Sequence, residues 1–202
     1  MRDPARRQAP GPLLSSKELI ATPWLRLRRD QLRSDADGTP VDRVVLGFPD
    51  WVDVIALTDD GEIVLVEQFR HGVREIRLEF PAGTIETRET PLAAAQRELL
   101  EETGFGGEDW RPLGTAPVFP RWQDNRLHSF LALGVRQVDD PALDPGESIR
   151  CRRLPFSEFM QGVEAAEIEL PSLQLAGLYL LRLKLKRSND RRLAAVRARV
   201  GL

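Results

Sequence analysis

The chain has 202 residues and a mass of 22.8 kDa, which suits one ordinary domain, or one domain with a small N-terminal accessory element, more than two independent domains. Its 42% hydrophobic and 30% charged residues exclude a disordered or fibrous chain, and 29 Lys and Arg against 31 Asp and Glu leave a net charge of −2 with no bulk attraction to DNA or RNA. A single cysteine, Cys151, excludes an internal disulfide; with no apolar run near the roughly 18 to 20 residues of a membrane helix, and no signal-peptide stretch, a cytoplasmic location is expected.

In chain order, residues 1–14 carry three Pro and three Arg without periodicity and are expected to be a flexible tail. Residues 24–32 alternate apolar and charged side chains, the Asp35-Ala36-Asp37-Gly38 run breaks them, and 41–46 resume the pattern, so residues 15–48 read as a small β element. Residues 51–57 and 63–69 are strands around the Asp59-Asp60-Gly61 turn, placed at the centre of a sheet. A further strand over 76–80 is expected to give way to a loop at Pro81-Ala82-Gly83. Thr90 and Pro91 then open a helix with an apolar stripe at Leu92, Ala95, Leu99 and Thr103, closed by Gly104. Strands over 113–118, 127–135 and 148–154 and helices over 156–163 and 171–187 follow. This order predicts an α+β fold, a mixed sheet flanked by helices, with residues 49–202 as the main domain.

Glu98, Glu101 and Glu102 lie within about 100° of arc on that helix. Like charges so placed repel, and a bound cation is the natural compensation. Oxygen donors without Cys or His select a hard ion, Mg²⁺ or Mn²⁺, and Mg²⁺ shares its shell with water and substrate phosphates. Phosphoryl chemistry is therefore indicated.

From Gly83 to Phe105 the chain closely resembles the Nudix hydrolases, whose signature is Gly-x5-Glu-x7-Arg-Glu-U-x-Glu-Glu-x-Gly-U with U a bulky apolar residue; all nine constrained positions match. The resemblance implies the family's α/β/α sandwich. It also implies Glu98 and Glu102 as principal metal ligands, joined by Glu101 and the Ala82 carbonyl, with Glu89 further out. Arg97 is implied as the residue that steadies a carboxylate, and Gly83 and Gly104 as structural glycines. The reaction implied is hydrolysis of a pyrophosphate linkage. Its general base sits on a later loop that here lacks the glutamate of the ADP-ribose pyrophosphatase branch, which leaves Asp124 and Glu147 as alternatives.

Pro120, the run from Val64 to Arg70 and the run from Leu78 to Gly83 resemble that branch, which implies ADP-ribose or a related nucleoside diphosphate sugar as the small-molecule substrate. Arg70 and Glu79 are the implied substrate-binding pair, and Trp51 or Trp122 could stack on a base. His71 and His128 read as structural. The branch also implies a homodimer built through the N-terminal strands. Two other readings remain: action on RNA 5′ ends or dinucleoside polyphosphates, prompted by eight Lys or Arg within 182–199, and a nucleotide-sugar-binding module without turnover. The basic run reads as a solvated helical end, and nucleic acid is not the expected partner.

Overall fold

The structure, a computed structural model, describes residues 11–34 and 36–199. Of the tail expected over 1–14, residues 1–10 lie outside the described residues, whereas Leu13 and Leu14 belong to a strand. Two compact units form. Among the described residues, one takes in those up to Pro49 together with Pro117–Asn125; the other takes in Asp50–Ala116 and Arg126–Arg199.

The first unit is a meander of β1 (Leu13–Ala21), β2 (Arg26–Arg33) and β3 (Pro40–Gly47), in antiparallel order β1-β2-β3. β1 gave no expectation because its Ser15, Ser16, Lys17 and Glu18 offer no alternation, and the ladder to β2 is what makes it a strand. Residues 117–125 join this unit through Leu46, whose amide donates to the Trp122 carbonyl and whose carbonyl accepts from Asp124. The first unit is therefore discontinuous in sequence.

In the second unit, β4 (Trp51–Leu57), β5 (Glu62–Arg70), β6 (Glu75–Glu79), β7 (Ala82–Thr84), β9 (Asp109–Pro117), β10 (Arg126–Leu133) and β12 (Ile149–Pro155) build a seven-stranded sheet. The path runs β12-β5-β4-β10-β9, with β6 added to β5 and β7 to β4. β4 and β10 are parallel and the β4–β5 hairpin antiparallel, so the sheet is mixed, as expected. β8 (Phe105–Gly106) and β11 (Arg136–Gln137) form a separate small ladder.

The hairpin strands share only two rungs, Ala56 opposite Val64 and Leu57 opposite Ile63. Beyond them β5 turns to β6 and β4 to β7. The expected loop at Pro81 is thus a correction: proline ends β6, but Ala82, Gly83 and Thr84 pair at once with Asp53, Val52 and Trp51. Proline lacks the amide for a ladder, and its carbonyl still accepts the Val54 N–H at 2.9 Å.

Both faces of the sheet are covered. The even residues of β4, Val52, Val54 and Ala56, pack with Ala94, Ala95 and Leu99 of α1 (Pro91–Thr103). The odd residues Ile55 and Leu57 pack with Phe159 of α2 (Phe156–Glu164), Leu181 of α3 (Ser172–Arg187) and Leu193 of α4 (Arg191–Arg199). Two-sided burial explains why β4 is almost continuously apolar, and Asp53 is its one charged residue. The apolar stripe of α1 differs by one position: Leu92 is exposed and Ala94 takes the buried place, since the small side chain lets the helix lie close to the sheet.

Candidate active site

Helix α1 is fixed at both ends by its sequence. The Thr90 hydroxyl accepts the Ala93 N–H at 3.2 Å, and Gly104, left-handed at φ 74°, donates its own N–H to Leu100 O at 2.7 Å. A side chain at Gly104 would meet the Asp139 carbonyl at 2.2 Å, so this turn needs glycine twice over.

The carboxylates gather where α1 meets β7. Glu102 is 5% exposed and its Oε2 accepts the Ala82 N–H at 3.0 Å. Burial pushes its carboxyl up to about 8, against the pull of the Ala82 N–H. The Glu98 carboxylate lies against Gly83, where a Cβ would come within 2.0 Å of Oε1. Burial raises Glu98 as well, offset by Arg97. Glu101, on the outer side of the helix, has a side chain 43% exposed.

Arg97 organises this group. Its Nη1 donates to Glu98 Oε1 at 2.9 Å and to Glu101 Oε2 at 3.0 Å, its Nε and Nη2 form a fork on the Glu89 carboxylate, and Nη2 also reaches Thr84 O. Glu89 is held well below the ordinary carboxylate range by this fork. The arginine therefore ties the loop after β7 to the acidic face of α1. Among the described residues no three His, Cys, Asp or Glu side chains are grouped so that they could by themselves hold a metal ion. The donors are nonetheless hard oxygens on buried, mutually repelling carboxylates, which fits an ion that completes its shell with water and phosphate.

Beside this cluster a cavity of about 660 Å³ opens in the second unit, walled by Trp51, Val73, Leu127 and Leu173, with Arg70, Glu79, Gln174 and Asp53 as polar groups. Arg70 donates Nε to Glu79 Oε1 at 3.0 Å and Nη2 to Glu79 Oε2 at 2.6 Å. Of the two aromatic candidates, Trp51 lines the cavity, whereas Trp122 belongs to the first unit with Arg121 over its ring and is not among the lining residues. The two candidate bases belong to different units. Asp124 sits in the first unit, bonded to Arg28 Nη1 at 2.6 Å, whereas the Glu147 charge acts on Glu98, Glu102 and Arg70. His128 bridges Asp50 and Thr115 at 3.2 and 3.1 Å and is not among the residues that line the cavity.

Asp53 and Gln174 were not expected in this wall. The one signal for Asp53 was a lone acid in an apolar strand; Gln174 gave none, since only the packing of α3 brings its amide onto the Phe80 backbone.

The sequence pattern of the NUDIX domain matches residues 48–173. The chain belongs to the Nudix family. Its similarity to ADP-ribose pyrophosphatase of Mycobacterium tuberculosis is 32% identity over 167 residues, 82% of this chain and 80% of that protein. A methanol dehydrogenase activator of Bacillus methanolicus is 32% identical over 145 residues, 71% of this chain and 78% of the relative. The crystal structure of an ADP compounds hydrolase superposes with a TM-score of 0.74 over 89% of this chain and 95% of that one, at 24% identity, and shows that the fold is the Nudix fold. This Nudix chain thus has the expected α+β sandwich, and the matched segment contains the whole of α1 and the loop before it.

Proposed function

We propose that this Nudix pyrophosphohydrolase cleaves the pyrophosphate linkage of ADP-ribose or a related nucleoside diphosphate sugar, giving a nucleoside monophosphate and a sugar phosphate. One observation carries the reading: Glu98 and Glu102 are buried against the Ala82–Gly83 backbone beside a cavity of nucleotide-sugar size. The similarity to ADP-ribose pyrophosphatase supports the choice of substrate.

Glu98 and Glu102 would hold Mg²⁺ or Mn²⁺, with Glu101 and the Ala82 carbonyl as further donors. Once bound, such an ion withdraws charge from the diphosphate and lowers the pKa of water at phosphorus. Arg97 keeps the acidic face from splaying, because one guanidinium spans Glu89, Glu98 and Glu101. Glu147 is the base that takes the water proton, supported by its electrostatic reach to Glu98 and Glu102 and by the engagement of Asp124 with Arg28. Arg70 has Nε and Nη2 committed to Glu79, so it would meet the diphosphate through Nη1. Trp51 is the aromatic wall for a base.

The basic run supports RNA poorly, since Arg182, Lys184, Arg192 and Arg199 bond to Glu164, Pro112 O, Asp109 and Asp59 O within the chain. Exposed Leu19, Ile20, Trp24 and Val44 on the first unit support a homodimer, and the lone cysteine suits the cytoplasm. The test is a panel of nucleotide sugars, capped RNA and dinucleoside polyphosphates with Mg²⁺ or Mn²⁺, with products identified. AMP and ribose phosphate from ADP-ribose are expected; no nucleoside monophosphate from any sugar nucleotide would reject the proposal.

A further inference from the structure

Asp53 stands in the middle of β4, on the face opposite to α1, and is 1% exposed. Among the described residues neither of its carboxylate oxygens has a hydrogen-bond partner. Gln174, Glu79 and Arg70, which line the same cavity, are committed elsewhere. The Gln174 amide is used by the Phe80 backbone, which donates N–H to Oε1 at 2.8 Å and accepts from Nε2 at 3.2 Å. The other acid of the cavity, Glu79, has both oxygens on Arg70, which commits that guanidinium too. The Ser129 hydroxyl, one strand over on β10, lies close, and it shares with Asp53 the space that a Cβ on Gly177 of α3 would enter at 3.1 Å from each. Glycine at 177 is thus what lets α3 close over the acid.

A carboxyl buried without a partner opposes folding, and valine or leucine in its place would suit a strand covered on both faces. Asp53 does, however, form part of the wall of the candidate cavity. Unsatisfied polar groups kept at the wall of a binding cavity are the ones a ligand completes.

We infer that Asp53 is a specificity-determining residue of this cavity, the acceptor for a hydrogen-bond donor, hydroxyl or amino, carried by the nucleotide sugar. The inference rests on the reading of the cavity as the substrate site. Two parts of such a substrate carry donors: the sugar hydroxyls and the exocyclic amine of the base. A site that leaves an acceptor unpaired discriminates strongly against an analogue without the donor.

Asp53→Asn and Asp53→Val test it against ADP-ribose, its hypoxanthine counterpart, which lacks the amine, and its counterpart with a deoxy terminal sugar. Calorimetric binding of each compound tests Asp53, and Mg²⁺-dependent turnover by the unaltered enzyme separately tests the assigned reaction. For ADP-ribose, Kd and KM are expected to rise at least tenfold in Asp53→Val, with the larger part of the loss in KM and not kcat. The rise should vanish for the one analogue missing the donor that Asp53 holds, which identifies base or sugar. Both variants should melt no lower than the parent, which excludes a folding defect. Unchanged affinity for ADP-ribose, or an equal loss for all three compounds, would overturn the inference even if the parent enzyme turns over every one.

Discussion

At the scale of single residues the site depends on where oxygens are held. Glu102→Gln keeps the volume and the contact with the Ala82 amide but removes the charge, so the purified variant should keep its circular dichroism and lose turnover by roughly 10² or more, the scale of a lost electrostatic contact in a closed site. Glu147→Gln and Asp124→Asn divide the remaining question, because one acid shares the field of Glu98 and Glu102 and the other is paired with Arg28. Glu147→Gln is expected to lower kcat by about 10² to 10⁴, whereas Asp124→Asn should leave kcat close to that of the parent. Asp53 supplies a pH dependence of stability. Its carboxyl is pushed by burial up to about 7 from an ordinary value of 3.8, so the folded chain holds that proton more tightly than the unfolded chain does. The stability tied to this proton is complete below the ordinary carboxylate range and is lost as pH rises through about 7. Melting temperatures of the parent and of Asp53→Val should therefore diverge between pH 5 and pH 8, the parent falling relative to the variant; a constant difference would show that the acid does not titrate there.

At the scale of elements, α1 and its preceding loop work as one piece, and their two glycines do different work. Gly83→Ala would drive a methyl into the Glu98 carboxylate, the far end of a movable side chain, so activity should drop sharply while the melting temperature stays close to that of the parent. Gly104→Ala meets a backbone carbonyl and a positive φ together, and is expected to cost at least about 2 kcal/mol by chemical denaturation. Much of this was legible in the sequence. The Thr90-Pro91 start, the Gly104 stop and the acidic face follow from local chemistry, and the helix was readable to the residue. The β7 strand was not, because three residues after a proline carry no pattern of their own; β4 supplies the partner that makes them a strand. The same contact puts the Ala82 amide on Glu102 and seats Glu98 against Gly83, so the part of the site that spacing could not disclose is the backbone side of it.

At the scale of the whole molecule, the apolar side chains that stand exposed on the first unit predict association. Light scattering after gel filtration should give a dimer near twice 22.8 kDa, and Trp24→Glu, a charge at the most exposed of these residues, should shift it toward the monomer. What the sequence alone determined about this protein is local or short in range: the α+β class from the order of elements, the helix with its caps, and the carboxylates that a 3.6-residue period puts on one face. What only the tertiary structure decided involves groups distant along the chain: the assignment of residues 117–125 to the N-terminal unit, the pairing of Asp124 with Arg28, and the unpartnered carboxyl of Asp53 beneath Gly177 of α3. The physical reason is that periodicity and capping act within a few residues, whereas burial, pairing and the electrostatic field of a site are set by elements that meet only when the sheet and its helices pack.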